Sequence, residues 1–176
     1  VSYRPVCDTW ILARPKVPYY GAYPNGFLER AVILLGVSPT DALLHVCGGH
    51  AKAYPAWNRL CPHGRTLDLD PATDPDFCQD ARLPLPPILN GWPAILIDPP
   101  YTDADATHYA PGAAARPTAR ELLAHALDAV KVHGRIGILH YLWPRPPTAA
   151  KALACVSVVA GYNNRLRCFS VYERTL

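Results

Sequence analysis

The string Asp98-Pro99-Pro100-Tyr101 closes an apolar run, Ala94-Ile95-Leu96-Ile97, and puts a carboxylate, two prolines and an aromatic ring at one strand end. Consecutive prolines fix the local backbone and remove two N–H donors, so the carbonyls there remain as acceptors. A planar amine held by Asp98 and the Pro99 carbonyl has both N–H bonds engaged. Its lone pair is then favoured to point away from the ring plane, where the nitrogen becomes a better nucleophile. Tyr101 offers a flat face on which a base can stack.

Two further segments place chemistry at strand ends. Cys47-Gly48-Gly49-His50 follows the apolar stretch from Asp41 to Cys47, and its missing side chains let backbone approach a ligand. Asp68 and Asp70 end the strand predicted over Arg65 to Leu69. Asp68 stands 20 residues after Gly48, near the spacing at which an acidic residue grips a ribose in nucleotide-binding α/β folds. Together these two segments point to an adenosine-type ligand. His108, Tyr109 and Arg116 follow the Asp98 string and are placed to close over a base or touch phosphate. Tyr141 ends a later strand and can line the same pocket.

The elements that must position these residues are segmented by 20 prolines. Residues 1–30 read as irregular, since Pro15, Pro18 and Pro24 forbid a long helix. A short helix is predicted from Leu28 to Leu35, a weak one from Ala51 to Leu60, and a poorly marked strand within Phe77 to Leu83. Thr102 to Pro117 reads as a mobile loop. Thr118 to Val132 is the best-marked helix, with Thr118 and Glu121 as a capping box and Gly134 as its stop. Arg135 to Leu142 reads as a strand and Thr148 to Leu153 as a short helix. Val156 to Ala160 and Arg167 to Tyr172 read as strands joined through Gly161-Tyr162-Asn163-Asn164. Strands alternating with helices imply an α/β fold, a mostly parallel sheet with helices on both faces. The closing hairpin implies one antiparallel edge strand.

Composition bounds the class. The chain has 176 residues, half of them apolar and 18% charged, which suits one globular domain over 1–176. Its formal charge of +3 is a weak nucleic-acid signal, although 13 of its 17 cations are Arg. Arg165, Arg167 and Arg174 read as a solvated edge. No apolar run approaches the roughly 18 residues needed to span a bilayer, and Val1 to Asp8 carries no signal pattern. The expectation is a cytoplasmic protein with no membrane partner. None of the six Cys forms a Cys-x-x-Cys pair, and His45, Cys47, His50, Cys61 and His63 match no standard zinc spacing, so no metal is expected.

The Asp98-Pro99-Pro100-Tyr101 string resembles the catalytic motif of the class I S-adenosylmethionine-dependent amino-methyltransferases, above all those that methylate adenine, and sometimes cytosine, in DNA. The resemblance runs in order along nearly the whole chain. Tyr20-Gly21-Ala22-Tyr23-Pro24-Asn25-Gly26-Phe27 resembles the family's N-terminal cofactor segment. Leu44 to His50 occupies the place of its glycine-rich loop, Thr66 to Pro71 that of its second-strand acidic motif, and Asp80-Ala81-Arg82-Leu83-Pro84 that of the third. The resemblance implies a Rossmann-like methyltransferase fold with S-adenosylmethionine as cofactor. It implies cofactor contacts from Tyr20, Gly21, Tyr23, Pro24, Cys47, Gly48, Gly49, Asp68, Leu69, Asp80 and Ala81, and a catalytic group of Asp98, Pro99, Pro100 and Tyr101. The chain departs from the family at Val46, where an aromatic is usual, and at His50, in the second glycine place. DNA is the implied partner and base flipping the implied route, with His108, Tyr109, Arg116 and Tyr141 on the nucleic acid. RNA or a protein amide is the alternative substrate, although those relatives usually carry Asn in the Asp98 place. A non-catalytic binding subunit is the other class. With no separate target-recognition domain in the sequence, recognition falls to loops, a homo-oligomer or a separate specificity subunit.

Overall fold

Apolar strands alternate with amphipathic helices along the chain, and the strands assemble into one sheet. The computed structural model describes residues 4–15, 21–109, 115–160 and 165–176. Among them lie β1 (Val6–Leu12), β2 (Leu43–Val46), β3 (Arg65–Asp68), β4 (Phe77–Cys78), β5 (Trp92–Ile97), β6 (Val130–His140), β7 (Ala150–Ala160) and β8 (Leu166–Arg174). Their order across the sheet is β1-β7-β8-β6-β5-β2-β3-β4. The helices are α1 (Phe27–Leu34), α2 (Pro55–Leu60), α3 (Asp103–Tyr109) and α4 (Ala119–Ala129). Every pairing is parallel except those of β8, which runs antiparallel to β6 and β7.

β5 is apolar on both faces because helices cover both. Ala94 and Leu96 join a core built with Phe27, Leu28, Ala31 and Val32 of α1 and Trp57 of α2. Ile95 and Ile97 join a second core with Leu122, Leu123, Ala126 and Leu127 of α4. Such double-sided burial is what a central parallel strand demands. The Thr118–Glu121 capping box is present at the start of α4, and such a cap contributes about 1 kcal/mol. Strand order reverses between β2 and β5, the switch point beyond whose carboxyl ends ligands bind in open α/β sheets.

Five sequence expectations are corrected. Residues 1–30 are not all irregular: Val6–Leu12 forms edge strand β1, parallel to β7. Prolines exclude a helix there but leave a β-rich stretch free to pair. β8 is therefore interior, between β6 and β7, and not an antiparallel edge. α4 stops at Ala129 and the chain passes directly into β6 at Val130, so Gly134 is no helix stop. A Cβ on Gly134 would meet the Pro93 and Lys131 carbonyl oxygens at 2.9 Å, so close approach of β5 and not a cap requires glycine there. Ala150 to Leu153 belongs to strand β7 in place of the predicted helix. Ala152 and Ala154 pair with Tyr172 and Val171 of β8, and that pairing overrides the local helix preference of an Ala-rich segment. Within Thr102 to Pro117, Asp103–Tyr109 is helical. Thr102 Oγ1 accepts from Asp105 N at 3.1 Å and donates to Asp105 Oδ2 at 2.8 Å, a cap that sequence reading missed. The predicted turn at 161–164 lies outside the described residues.

Candidate active site

A cleft of about 390 Å³ opens at the carboxyl ends of β2, β3 and β5, lined among others by Asp68, Asp80 and Asp98. Its size falls in the range of small-molecule sites. The loop after β2 forms its floor. Gly49 has φ +47, and a Cβ added there meets nothing within 4 Å, so the backbone is bare toward open space. Gly48 is excluded from carrying a side chain by His45 O and Thr66 Cβ, each 3.2 Å from the added atom. Gly49 N donates to Asp68 Oδ2 at 2.8 Å, and Asp70 N donates to Asp68 Oδ1 at 3.0 Å. A carboxylate has about four lone-pair sites, so Asp68 retains acceptor capacity toward the cleft. Asp80 is gripped by Arg82, whose Nε lies 2.9 Å from Oδ2 and 3.1 Å from Oδ1. The hydrogen bond from Arg82 holds the Asp80 carboxyl below its ordinary pKa, so it is an acceptor only.

Asp98 is half-buried just beyond β5, its N–H donating to Val46 O at 3.2 Å. The Tyr101 hydroxyl donates to Asp98 Oδ1. Burial raises the Asp98 pKa from 3.8 to about 6, against the opposing effects of the Tyr101 hydroxyl, the Arg167 charge and the Tyr23 hydroxyl. Burial first, then the Asp98 charge, lifts both tyrosines far above their ordinary range, so both remain protonated donors. Arg167, expected at a solvated edge, is instead 8% exposed, with its guanidinium 5.3 Å from the centre of the Tyr101 ring. Cys47 lines the cleft as a neutral thiol, its pKa raised by burial and then by Asp68, Asp98 and Asp80.

The structure brings most of the sequence-derived candidates to this cleft. Gly21, Tyr23, Cys47, Gly48, Gly49, Asp68, Leu69, Asp80, Ala81, Asp98 and Pro100 line it, as do His108, Tyr109 and Arg116 from α3 and beyond. Among the described residues Pro24, Pro99, Tyr101 and Tyr141 do not. Pro24 and Pro99 are buried, and the Pro24 carbonyl accepts Phe27 N at the start of α1. The Tyr101 ring packs 4.7 Å from Tyr141. Tyr20 lies outside the described residues. Arg116 braces the cleft wall, donating to Asp103 Oδ1 at 2.9 Å and to the Tyr101 carbonyl at 3.0 Å. Tyr109 crosses toward Gly21, where an added Cβ would lie 2.0 Å from its hydroxyl oxygen. Sequence reading missed Tyr54, whose hydroxyl accepts Tyr23 N, and Thr73; both line the cleft. Tyr54 was hidden inside a predicted helix that Pro55 in fact begins. Among the described residues no group of three His, Cys, Asp or Glu is placed to hold a metal ion.

No protein-family model matches the chain, and no curated protein matches it in sequence. Solved structures do resemble it. TrmN from Thermus thermophilus superposes with a TM-score of 0.66 at 20% identity, over 88% of this chain and 50% of its own. This chain thus spans about half the length of that relative. An rRNA methylase from Streptococcus thermophilus gives 0.52 at 10% identity, over 84% of this chain and 95% of its own. SMU.1697c from Streptococcus mutans, solved in complex with SAH, gives 0.52 at 8% identity, over 83% and 97% of the two chains. These likenesses, with the eight-stranded mixed sheet, establish that the chain has the Rossmann-like methyltransferase fold.

Proposed function

We propose that the chain transfers a methyl group from S-adenosylmethionine to an exocyclic amine of a nucleobase, with adenine in DNA as the first substrate to test. The observation that carries this reading is Asp98: a half-buried carboxylate that lines the same cleft as Asp68 and Asp80 and accepts the Tyr101 hydroxyl. The fold's likeness to a structure holding SAH supports the cofactor. So does the fit of the cleft: Gly48 and Gly49 leave backbone open to the methionine part, Asp68 suits the ribose hydroxyls, and Asp80 suits the adenine amine. When bound, the cofactor supplies an electrophilic methyl group on a sulfonium.

The chain's own residues do the rest by position and charge. Above pH 6 Asp98 is mainly ionised and accepts an N–H of the target amine. That bond draws the nitrogen out of conjugation with its ring, and the carboxylate stabilises the positive charge that grows on it. The proton displaced from the methylated nitrogen passes to Asp98, whose midpoint near 6 lets the carboxyl take it and then release it to water. A base inside a duplex cannot reach this depth, so the target leaves its stack.

Aspartate at position 98, where RNA- and amide-modifying relatives usually carry asparagine, favours DNA. The likeness to an rRNA methylase favours RNA as a second reading. A specificity subunit or a second copy of the chain would supply sequence reading in either case. The test is nucleoside mass spectrometry of DNA and of RNA incubated with the protein and isotope-labelled cofactor. Labelled methyladenine or methylcytosine in DNA supports the first reading, and label confined to RNA selects the second. Cofactor binding by calorimetry with no label in either leaves a protein amide as substrate or a non-catalytic binding subunit.

A further inference from the structure

Behind Asp98 lies a second layer that the proposed reaction does not use directly. His45, on β2, is 1% exposed, and its Nε2 lies 2.8 Å from the Tyr23 hydroxyl oxygen. Its ring sits 5.3 Å from Trp57 and 5.9 Å from Tyr23, centre to centre. Burial holds the imidazole neutral, with its pKa lowered to about 3, so it carries one N–H. Its other nitrogen, Nδ1, is buried with no hydrogen-bond partner among the described residues. Tyr23 also lines the cleft beside Asp98 and its hydroxyl lowers the pKa of that carboxyl, so one phenol proton stands between an imidazole and a carboxylate.

A hydroxyl donates once. If the Tyr23 proton were directed at His45 Nε2, an ionised Asp98 would face the bare phenol oxygen, acceptor against acceptor, in a dry site. If His45 carries its proton on Nε2, that N–H donates to the Tyr23 oxygen and the phenol proton is free to point at Asp98. The unpartnered Nδ1 is then a bare lone pair. We propose that His45 is a positioning residue: its Nε2–H holds the Tyr23 hydroxyl so that the one phenol proton is directed at Asp98, which keeps that carboxylate an acceptor. The proton arrangement stands on the 2.8 Å Tyr23–His45 bond and on the place of Tyr23 beside Asp98 in the cleft, whereas its use in holding an amine rests on the methyl-transfer reading.

The groups facing Asp98 are Tyr101 on its own segment, Tyr23 before α1, Arg167 on β8 and Cys47 after β2. Only the Tyr23–His45 pair changes in the variants that follow. Two or three hydrogen bonds can bring a carboxylate below pKa 2, so each is worth about one unit, and Tyr23→Phe should raise the Asp98 midpoint by about that much. His45→Leu should raise it in the same direction by less, because an unanchored Tyr23 still reaches Asp98 part of the time. His45→Gln, which restores an N–H donor, should bring it back. His45→Leu added to Tyr23→Phe should shift nothing further.

The experiment is NMR of the full chain with isotope-labelled histidine and aspartate, reading the His45 tautomer and the Asp98 carboxyl titration directly. Melting curves of each variant accompany it. An Nε2–H tautomer with this pattern of shifts supports the proposal. An Nδ1–H tautomer overturns it. So does an unmoved Asp98 midpoint in folded Tyr23→Phe and His45→Gln proteins, or a His45→Leu shift that persists without the Tyr23 hydroxyl. None of these readouts needs turnover. If the tautomer and shifts appear but no nucleic acid is methylated, the function reading fails and the positioning role stands.

Discussion

Asp98→Asn removes a titrating group while keeping its size and a carbonyl that can accept the Tyr101 hydroxyl. Burial, as the largest cause, raises the pKa of this carboxyl in the folded protein from 3.8 to about 6. Between those values the folded protein holds a proton that the unfolded chain has released. Stability therefore falls as pH rises through this window. Above pH 6 the folded state carries the full cost of an ionised carboxylate in this half-buried site, about 3 kcal/mol on the scale of 1.36 kcal/mol per unit. Below pH 3.8 the group is protonated in both states and the cost vanishes. The variant should accordingly unfold at a higher temperature than wild type at pH 8, by roughly 6–12 °C for a chain of this size. The gap should close as pH approaches 4. Thermal unfolding of the two proteins at several pH values checks this. A gap of the same size at pH 4 and pH 8, or a variant less stable than wild type at pH 8, would refute the reasoning.

Asp98→Ala should abolish methyl transfer while leaving cofactor affinity largely intact, as read by single-turnover transfer on an oligonucleotide alongside calorimetry. Tyr101→Phe should be milder in turnover than Tyr101→Ala, since the ring braced by Arg167 and Tyr141 survives, yet it should move the acid limb of the rate profile upward because one hydroxyl donor to Asp98 is lost. Asp68→Ala should weaken cofactor binding at least tenfold, on the scale of about 1.5–3 kcal/mol for charged hydrogen bonds, and an unchanged dissociation constant would move the ribose role to Asp70. Gly21→Ala should lower stability by about 1–2 kcal/mol in thermal melts, because position 21 has a left-handed φ of +78 and its new methyl must displace the Tyr109 hydroxyl.

What could be read from the sequence divides along local and non-local causes. Ala94–Ile97 and the Thr118–Glu121 cap carry their own signals, a continuous apolar run and a reciprocal hydrogen-bond pair, and both appear in the structure. β1 and the first half of β7 have no such local signature. Only Leu12 of β1 is buried, and Ala150 to Ala154 would suit a helix equally well; β1 becomes a strand because β7 offers it a ladder, and Ala150 to Ala154 because β8 does. The site divides in the same way. Asp98, Asp68 and Asp80 stand at strand ends where a motif marks them. His45 and Tyr23 are 22 residues apart, and nothing in their spacing announces a hydrogen bond of 2.8 Å. Arg167 read as a solvated charge because it stands near the last hairpin with Arg165 and Arg174; strand alternation turns position 167 inward to Tyr101.

The loop after β2 shows how a departure from a family pattern can be absorbed by backbone. In the family's arrangement two glycines separated by one residue shape the turn. Here the left-handed positions are Cys47, with φ 55, and Gly49, with φ 47. His50, in the second glycine place, has φ −82, an ordinary value that asks for no glycine, and it leads into a short 3₁₀ turn at Ala51–Ala53. The left-handed cost therefore falls on Cys47, about 1–2 kcal/mol for a residue with a Cβ. That conformation turns the chain so that Gly49 N points back at Asp68, and Asp68 in turn is fixed by Asp70 N. The acid at the cleft is thus aimed by the strained turn itself. His50 lines the cleft with a side chain where the family has none. His50, and not Val46, whose side chain is buried in the core behind the loop, is the departure that changes the lining of the cleft.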